Sequence, residues 1–337
     1  LTNTLLNFGE GVHTPDGQAG AVGYLVGEAN RGLAYMFHMM NEARISVGMG
    51  ATVLGYTGYL HALQYAKERP QGRPVLEKDP SSPQVPIITH PDVRRMLLAQ
   101  KAYAEGGLAL TLYCGKLVDE QHTAATEQER VDAELLLDLL TPIAKSWPSQ
   151  WCLEANSLAI QVHGGYGYTR EYNVEQFYRD NRLNPIHEGT HGIQGLDLLG
   201  RKVVMRDGAA LRLFIERVVE TATRGAAVGG DVATWSAQLE ESVLDLAGLT
   251  GELWGSGEFD AVLANATTYL EAFGHVVLAW MWLEQAIVAS AESGDFYAGK
   301  LQAARYFFAV ELPKTGPQFD LLRSLDRSAL QMDAAWF

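Results

Sequence analysis

From Arg31 onward the apolar residues of this 337-residue chain recur at helical spacing, and that periodicity leaves a mainly α protein as the expected outcome. Met36, Met39, Met40 and Ala43 stand at i, i+3, i+4 and i+7, and Ile45 carries the apolar run on to Gly48 and Gly50. A second helix is predicted from about Val47 to Arg69, ended by Pro70. Pro74 to Pro91, broken repeatedly by proline around Lys78-Asp-Pro-Ser-Ser-Pro83, reads as a loop. Helices follow over roughly His90 to Val118 and Arg130 to Leu140, with Asp119 to Glu129 between them as a charged, solvated linker. Thr141-Pro142 and Pro148-Ser149 read as helix starts with proline in the first turn. Beyond Met205 the pattern predicts four amphipathic helices, Leu211 to Ala222, Ala233 to Leu253, Phe259 to Ala291 and Phe296 to Val310. Their breaks fall at Gly225 to Asp231, Gly255-Ser-Gly257 and Gly294-Asp295, and Pro313 ends the last. Only Thr4 to Phe8 and Ala21 to Val26 look like strands, separated by Gly11, Pro15, Asp16 and Gly17.

Composition sets outer bounds on function. The chain is long enough for two domains with ordinary cores. A net charge of −14 argues against nucleic acid or an anionic membrane as the main partner. Cys114 and Cys152 both lie in apolar helical runs and read as buried thiols in a reducing compartment, the cytoplasm. No CxxC or His-x-x-x-His pattern suggests a metal. The most apolar run, Val276 to Leu283, is interrupted by Glu284 and too short to span a bilayer, so it is expected to be a core helix. Trp280, Trp282, Tyr306, Phe307 and Phe308 are tempting as a ligand stripe, but packing is the commoner use of such residues.

The chemistry is concentrated in three linked segments. Gln161-Val-His-Gly-Gly-Tyr-Gly-Tyr168 is followed by Tyr178-Arg-Asp-Asn-Arg182 and then by His187-Glu-Gly-Thr-His-Gly-Ile-Gln194. A lone Glu-Gly-Thr would be worthless as a signal; the three motifs in this order closely resemble the C-terminal signature of the acyl-CoA dehydrogenase family. The resemblance implies an FAD-dependent oxidation of an acyl-CoA thioester to its trans-2-enoyl form. Glu188 would be the base that takes the Cα proton, while the flavin takes a hydride from Cβ. Such a carboxylate needs a raised pKa, which burial with bound substrate supplies. The thioester oxygen needs donors aimed at it, in the family the backbone N–H of the glutamate and a flavin hydroxyl. Gly189 would let substrate approach the backbone. Taken alone Glu188 would be a solvated loop carboxylate, yet Pro185, Ile186 and Ile193 beside it are not a solvated face.

The likeness extends upstream and downstream. Gly27-Glu-Ala-Asn-Arg-Gly-Leu33 leading into Tyr35-Met-Phe-His-Met-Met-Asn-Glu-Ala-Arg44 is similar to the entry into the family's C-terminal helical domain. It implies substrate contacts from Arg44 and Asn41. Ala43 occupies the position where some members carry the base, so Glu188 has no competitor there; Glu42, one residue away, points about 100° around the helix. Tyr65-Ala-Lys-Glu-Arg-Pro-Gln-Gly-Arg73 resembles a segment reaching the flavin pyrophosphate of a neighbouring subunit, through Arg69 and Gln71, although Gly72 stands where the family has phenylalanine. Gln161, Gly164 and Gly165 match a turn that approaches the flavin from the partner subunit, a role compatible with a helix C-cap. Thr190 and Gln194 match positions near the adenine side. His187 and His191 depart from the pattern.

The helical tail and the proline-rich insertion match a subgroup that includes the methylthiopropionyl-CoA dehydrogenases. The expected organisation is therefore the end of a β-domain over 1–30, an up-down helical bundle over 31–205 and a second helical bundle over 206–337. Leu1 is not an initiator, and the reading expects an N-terminal helical domain and most of the β-domain to precede this chain. Expected partners are acyl-CoA, an electron-transferring flavoprotein and further copies in a homodimer or homotetramer. The competing expectation is a catalytically incomplete helical oligomerisation piece, inactive alone for want of its flavin domain.

Overall fold

Helices carry nearly all of this chain, and several run through residues that the sequence marks as breaks. The computed structural model describes residues 4–9, 17 and 19–337. Among the described residues there is no β-strand, only one isolated bridge between Pro70 and Pro86. The chain divides into two compact units, 1–43 and 44–337.

In the first unit neither strand-like run is a strand. Leu5, Leu6, Phe8, Tyr24, Leu25 and Val26 are exposed, and a hydrogen bond from Gly20 N to Gly9 O (2.8 Å) joins the two runs. Two short segments hold no ladder without further strands or a packed face to support them. Gly11, Pro15 and Asp16 lie outside the described residues. Met36 and Met39, which share the apolar helical spacing noted in the sequence, are 47 % and 63 % exposed.

The second unit contains most of helix α1 (Gly32–Glu68), which passes through Gly48 and Gly50 without a break. Gly48 is there for proximity. A Cβ on it would lie 1.9 Å from Ala144 O, and Gly55 is similarly tight against Cys152. The contacts advance together along both chains, so α1 runs parallel to α3 (Glu127–His163) at close range. Helix α2 (Pro91–Thr123) forms the antiparallel hairpin with α3. The predicted linker between them shrinks to three residues, and a capping box of Thr126 and Glu129 starts α3.

Pro142 and Pro148 do not begin helices; both sit inside α3. Each removes a backbone hydrogen bond and would ordinarily cost about 3 kcal/mol. The compensation is visible at Pro148, whose missing N–H leaves Ala144 O without its helical donor. That carbonyl is the one against which Gly48 packs. Burial on every side of 139–149 holds the helix together where local preference would end it.

Short helices α4 (Val174–Asn181) and α5 (His191–Asp197) follow, α5 passing into a π turn at Leu198–Lys202. The tail supplies α6 (Met205–Val228), α7 (Gly230–Gly255), α8 (Phe259–Ala264), α9 (Ala266–Ser290) and α10 (Asp295–Tyr306). A second π turn, Phe307–Glu311, ends α10, and Pro313 sits in a tight turn before α11 (Thr315–Arg323), so proline does not end the helical tail. A last short helix, α12, spans Ser328–Gln331. By length and composition alone α9 could cross a membrane, but 78 % of its most apolar window is buried inside the protein. Trp280, Trp282, Phe307 and Phe308 are buried with it in one continuous core shared by α2, α3, α6, α7 and α9. Two of these indole N–H groups find partners, Trp280 on Thr221 Oγ1 (2.8 Å) and Trp282 on Ala102 O (3.1 Å). Cys114 and Cys152 are free and buried, which pushes both thiols up to about 12.

Candidate active site

The turn between α4 and α5 carries Glu188 on a strained backbone. Its φ is 54° and that of Gly189 is 91°, two successive left-handed residues of which only the second is glycine. A side chain forced into that region costs of order 1–3 kcal/mol and persists only where its surroundings impose it. Here the surroundings are named atoms. The ammonium of Lys145, on α3, donates to Asn184 O (2.9 Å) and Gly189 O (2.5 Å), the carbonyls that bracket the turn. Gln194 Nε2, from the first turn of α5, donates to Glu188 O (2.9 Å). That amide fills the space beside Gly189, where a Cβ would meet it at 2.6 Å. Glycine is therefore required at 189 by conformation and by volume.

A chain of buried amides anchors the same turn to the bundle. Asn156 on α3 donates to Leu54 O (2.9 Å), and Asn181 donates to Asn156 Oδ1 (2.7 Å) and Ala51 O (3.2 Å). Asn184 donates to Asn181 Oδ1 (2.9 Å), and His187 Nε2 lies 3.1 Å from Asn184 Oδ1. Buried amides linked in this way fix one arrangement, because any member moved leaves another unsatisfied.

The carboxylate of Glu188 faces outward from this frame. Glu188 is exposed, as are Ile186 and Ile193, each 52 %. The apolar enclosure expected around the base is thus not supplied by this chain's own helices. Pro185 alone of the three expected neighbours is buried. Beneath the turn the electrostatics are sharper. Burial pushes Lys145 down to about 8, helped by Arg44 and opposed by Glu188. His191 shares a hydrogen bond with Ser146, and burial with the nearby Lys145 and Arg182 cations holds it down to about 4, so its imidazole is neutral at pH 7.

The remaining expected residues fall into separate places. Arg44 is buried and paired with Asp197 Oδ2 at 2.8 Å, pinning α1 to α5; its guanidinium faces inward. Asn41 is half-buried and belongs to the first unit. Gln194 is buried in the turn, and Thr190 is the exposed residue preceding α5. Arg69, Gln161, Gly164 and Gly165 gather at the other end of α3. Gly164 (φ 60°) caps α3, Gln161, Gly164 and Gly165 are exposed, and the Arg69 guanidinium lies over Tyr166, 5.4 Å from the ring centroid. Arg69 Nε is buried without a hydrogen-bond partner. Gln71 is exposed, and its backbone pairs with Val85 (N to O, 3.0 Å) to close the proline-rich loop.

Lys145, Asn156, Asn181 and Asn184 were not singled out by sequence reasoning. The signal was present: Lys145 is the lone charge in Thr141-Pro-Ile-Ala-Lys-Ser-Trp147, and a charge in an apolar helical window must be paired if it is buried.

Residues 30–203 match the acyl-CoA dehydrogenase C-terminal domain, and residues 214–333 match an acetyl-CoA dehydrogenase C-terminal-like domain. The chain belongs to the acyl-CoA dehydrogenase family. It is 38 % identical over 297 residues to a 3-methylmercaptopropionyl-CoA dehydrogenase of Ruegeria pomeroyi, covering 85 % of this chain and 50 % of that protein. Over 337 aligned positions it is 35 % identical to a broad-specificity linear acyl-CoA dehydrogenase of Mycobacterium tuberculosis, covering 94 % and 55 %. The fold matches Caenorhabditis elegans ACDH-11, solved in complex with C11-CoA, at a TM-score of 0.73 and 19 % identity over 88 % of this chain and 47 % of that one. The chain spans about half the length of the curated relatives it matches.

Proposed function

We propose that this chain is the base-bearing helical part of an acyl-CoA dehydrogenase, with Glu188 removing the α-proton of a bound acyl-CoA thioester. The observation that carries the reading is the strained turn at Glu188–Gly189, held from below by Lys145 and Gln194 while the carboxylate projects outward. A base must present its oxygen to substrate and must not swing, and a fixed turn with a projecting side chain does both. The exposed Ile186 and Ile193 offer apolar surface beside the carboxylate, against which an acyl chain would exclude water. The Glu188 N–H would serve as one donor to the thioester oxygen as charge gathers there.

The group that would complete the site is FAD, which when bound supplies the acceptor for the β-hydride. The residues fit it. Arg69 presents a buried, unpartnered Nε beside the exposed Gly164-Gly165 turn, a cation and two Cβ-free positions suited to a pyrophosphate and its close approach. Gln161 and Gln71 are exposed nearby in sequence and would add polar contacts, with Thr190 toward the adenine side. In this reading Arg44 and Gln194 act from within, Arg44 by pinning α5 and Gln194 by holding the base's own carbonyl. Asn41 would contribute to substrate binding. The two family matches support reading 31–205 as the catalytic helical domain and 206–337 as an appended bundle. An electron-transferring flavoprotein would take the electrons onward, and the Arg69 end of α3 would meet another copy of the chain in a homo-oligomer.

The test is Glu188→Gln in the full-length protein, assayed with a panel of acyl-CoAs and a dye acceptor. Flavin and acyl-CoA binding should persist while turnover falls by about 10²–10⁴-fold, the worth of a positioned general base. Near-normal turnover would remove Glu188 from the chemistry.

A further inference from the structure

The cation under the base-bearing turn is set deeper than an ordinary helix lysine. Lys145 is completely buried, in the proline-bounded stretch of α3 where Ile143, Ala144 and Trp147 are buried too. Its ammonium has three donors, and two go to backbone carbonyls five residues apart, Asn184 O and Gly189 O. Between those carbonyls lie Pro185, Ile186, His187 and Glu188. The lysine therefore closes a loop whose last side chain is Glu188, and it does so at the carbonyl of Gly189, the second of the two left-handed residues.

We infer that Lys145 is a positioning residue for proton abstraction, its ammonium holding the Glu188–Gly189 turn left-handed so that the carboxylate leaves the backbone in the productive direction. The inference rests on Glu188 being the base. Without the ammonium, Asn184 O and Gly189 O lose their buried donor, and a non-glycine residue has no local reason to stay at φ 54°. Relaxation of that residue redirects its Cα–Cβ bond, and a displacement of about 1 Å at a reacting atom costs roughly 10²-fold. The neighbouring contacts cannot substitute. Gln194 holds Glu188 O from the α5 side only, and Ser146 reaches His191, past the turn. Substrate binding along the rest of the surface does not involve Lys145, which has no exposed surface. The effect therefore belongs in the chemical step.

The experiment compares Lys145→Met, Lys145→Gln and Glu188→Gln in the full-length enzyme, with steady-state rates and the isotope effect for an α-deuterated acyl-CoA. Lys145→Met keeps the stem and removes both donors; kcat should fall about 10–100-fold with KM within about threefold, and the isotope effect on kcat should grow as proton removal becomes limiting. Lys145→Gln should recover part of the loss, since its amide can still donate. A Lys145→Met enzyme with kcat within about twofold of wild type overturns the inference, as does a loss of kcat with no growth in the isotope effect. If Lys145→Met does not fold, Lys145→Gln decides alone: a reduced kcat with a larger isotope effect supports the inference, and an unchanged kcat overturns it. Glu188→Gln separates the two failures. Retained turnover there removes the base assignment and this inference with it, whereas an inactive Glu188→Gln beside a normal Lys145→Met sinks only the role of the lysine.

Discussion

His191 stands three residues after Glu188, hydrogen-bonded to Ser146 just past the turn. Its imidazole is kept neutral by burial and by the Lys145 and Arg182 cations, with a pKa of about 4, against about 6.5 in an unfolded chain. Between those values the unfolded chain binds a proton that the folded one does not, so stability rises with pH through this window. The contribution is complete above about pH 6.5 and is lost as pH falls toward 4. After allowance for partial solvent access it is of order 2 kcal/mol. Urea unfolding of wild type and His191→Gln at pH 4.5 and 7 should show a steeper acid loss in the wild type; equal losses would mean that His191 is not the sensor. The departure of this residue from the family pattern was visible in the sequence. Its partner was not, because Ser146 lies 45 residues away and no helical periodicity links the two. The same holds for Lys145: a motif reading finds the residue proposed as the base, whereas the lysine whose ammonium holds the carbonyls around it is found only when the helices are packed.

At the scale of elements, the tail helix α9 and the helix that follows the Glu188 turn are in direct contact. Gly195 on α5 lies against the start of α9, where a Cβ would come 2.5 Å from Ala266 O, a backbone atom that cannot rotate away. Gly195→Ala must therefore push α5 and α9 apart, which should cost about 1–3 kcal/mol as overpacking does. Because α5 begins three residues after Glu188 and carries Gln194, the same displacement should, on the role proposed for Glu188, lower turnover of the full-length protein more than it lowers acyl-CoA affinity. Melting temperature together with kcat and KM for Gly195→Ala checks both parts; a variant as stable and active as wild type would show that α9 does not support the turn. Element boundaries were legible where local chemistry decides them, as at Gly164, Gly229 and Gly294. They were misread at Gly48, Pro142 and Pro148, where glycine and proline serve the close packing of α1 on α3. Local propensity carries no record of a neighbouring helix.

Across the molecule, a buried carboxylate in the tail ties it back to α2. Glu311, in the π turn after α10, is fully buried and accepts from Tyr103 on α2 (2.9 Å), Tyr306 on α10 (3.1 Å) and Lys314 (2.6 Å), with His275 Nε2 on α9 at 3.7 Å. Burial alone would raise its pKa; the His275, Lys314 and Tyr103 contacts outweigh burial and hold it at about 2. It is therefore ionised at neutral pH, and the charge works as a fixed joint between four elements. The π turn is what places it, since the extra residue rotates Glu311 inward beside Phe307 and Phe308. Glu311→Ala removes the acceptor for both tyrosine hydroxyls and empties a buried site. It should destabilise the protein by about 3–5 kcal/mol, as breaking one side of a buried charged pair does. Lys314→Met should cost less, because the lysine is partly solvated and the hydroxyls remain to satisfy the carboxylate. Denaturant unfolding of the two variants gives the comparison, and equal, small losses would show that the tail is held by its aromatic core alone. With Glu311 removed, the packing of α9 beneath α5 is the route by which damage in the tail would reach Glu188, and on the role proposed for that residue the turnover of the full-length protein, measured below the unfolding transition, should fall with stability.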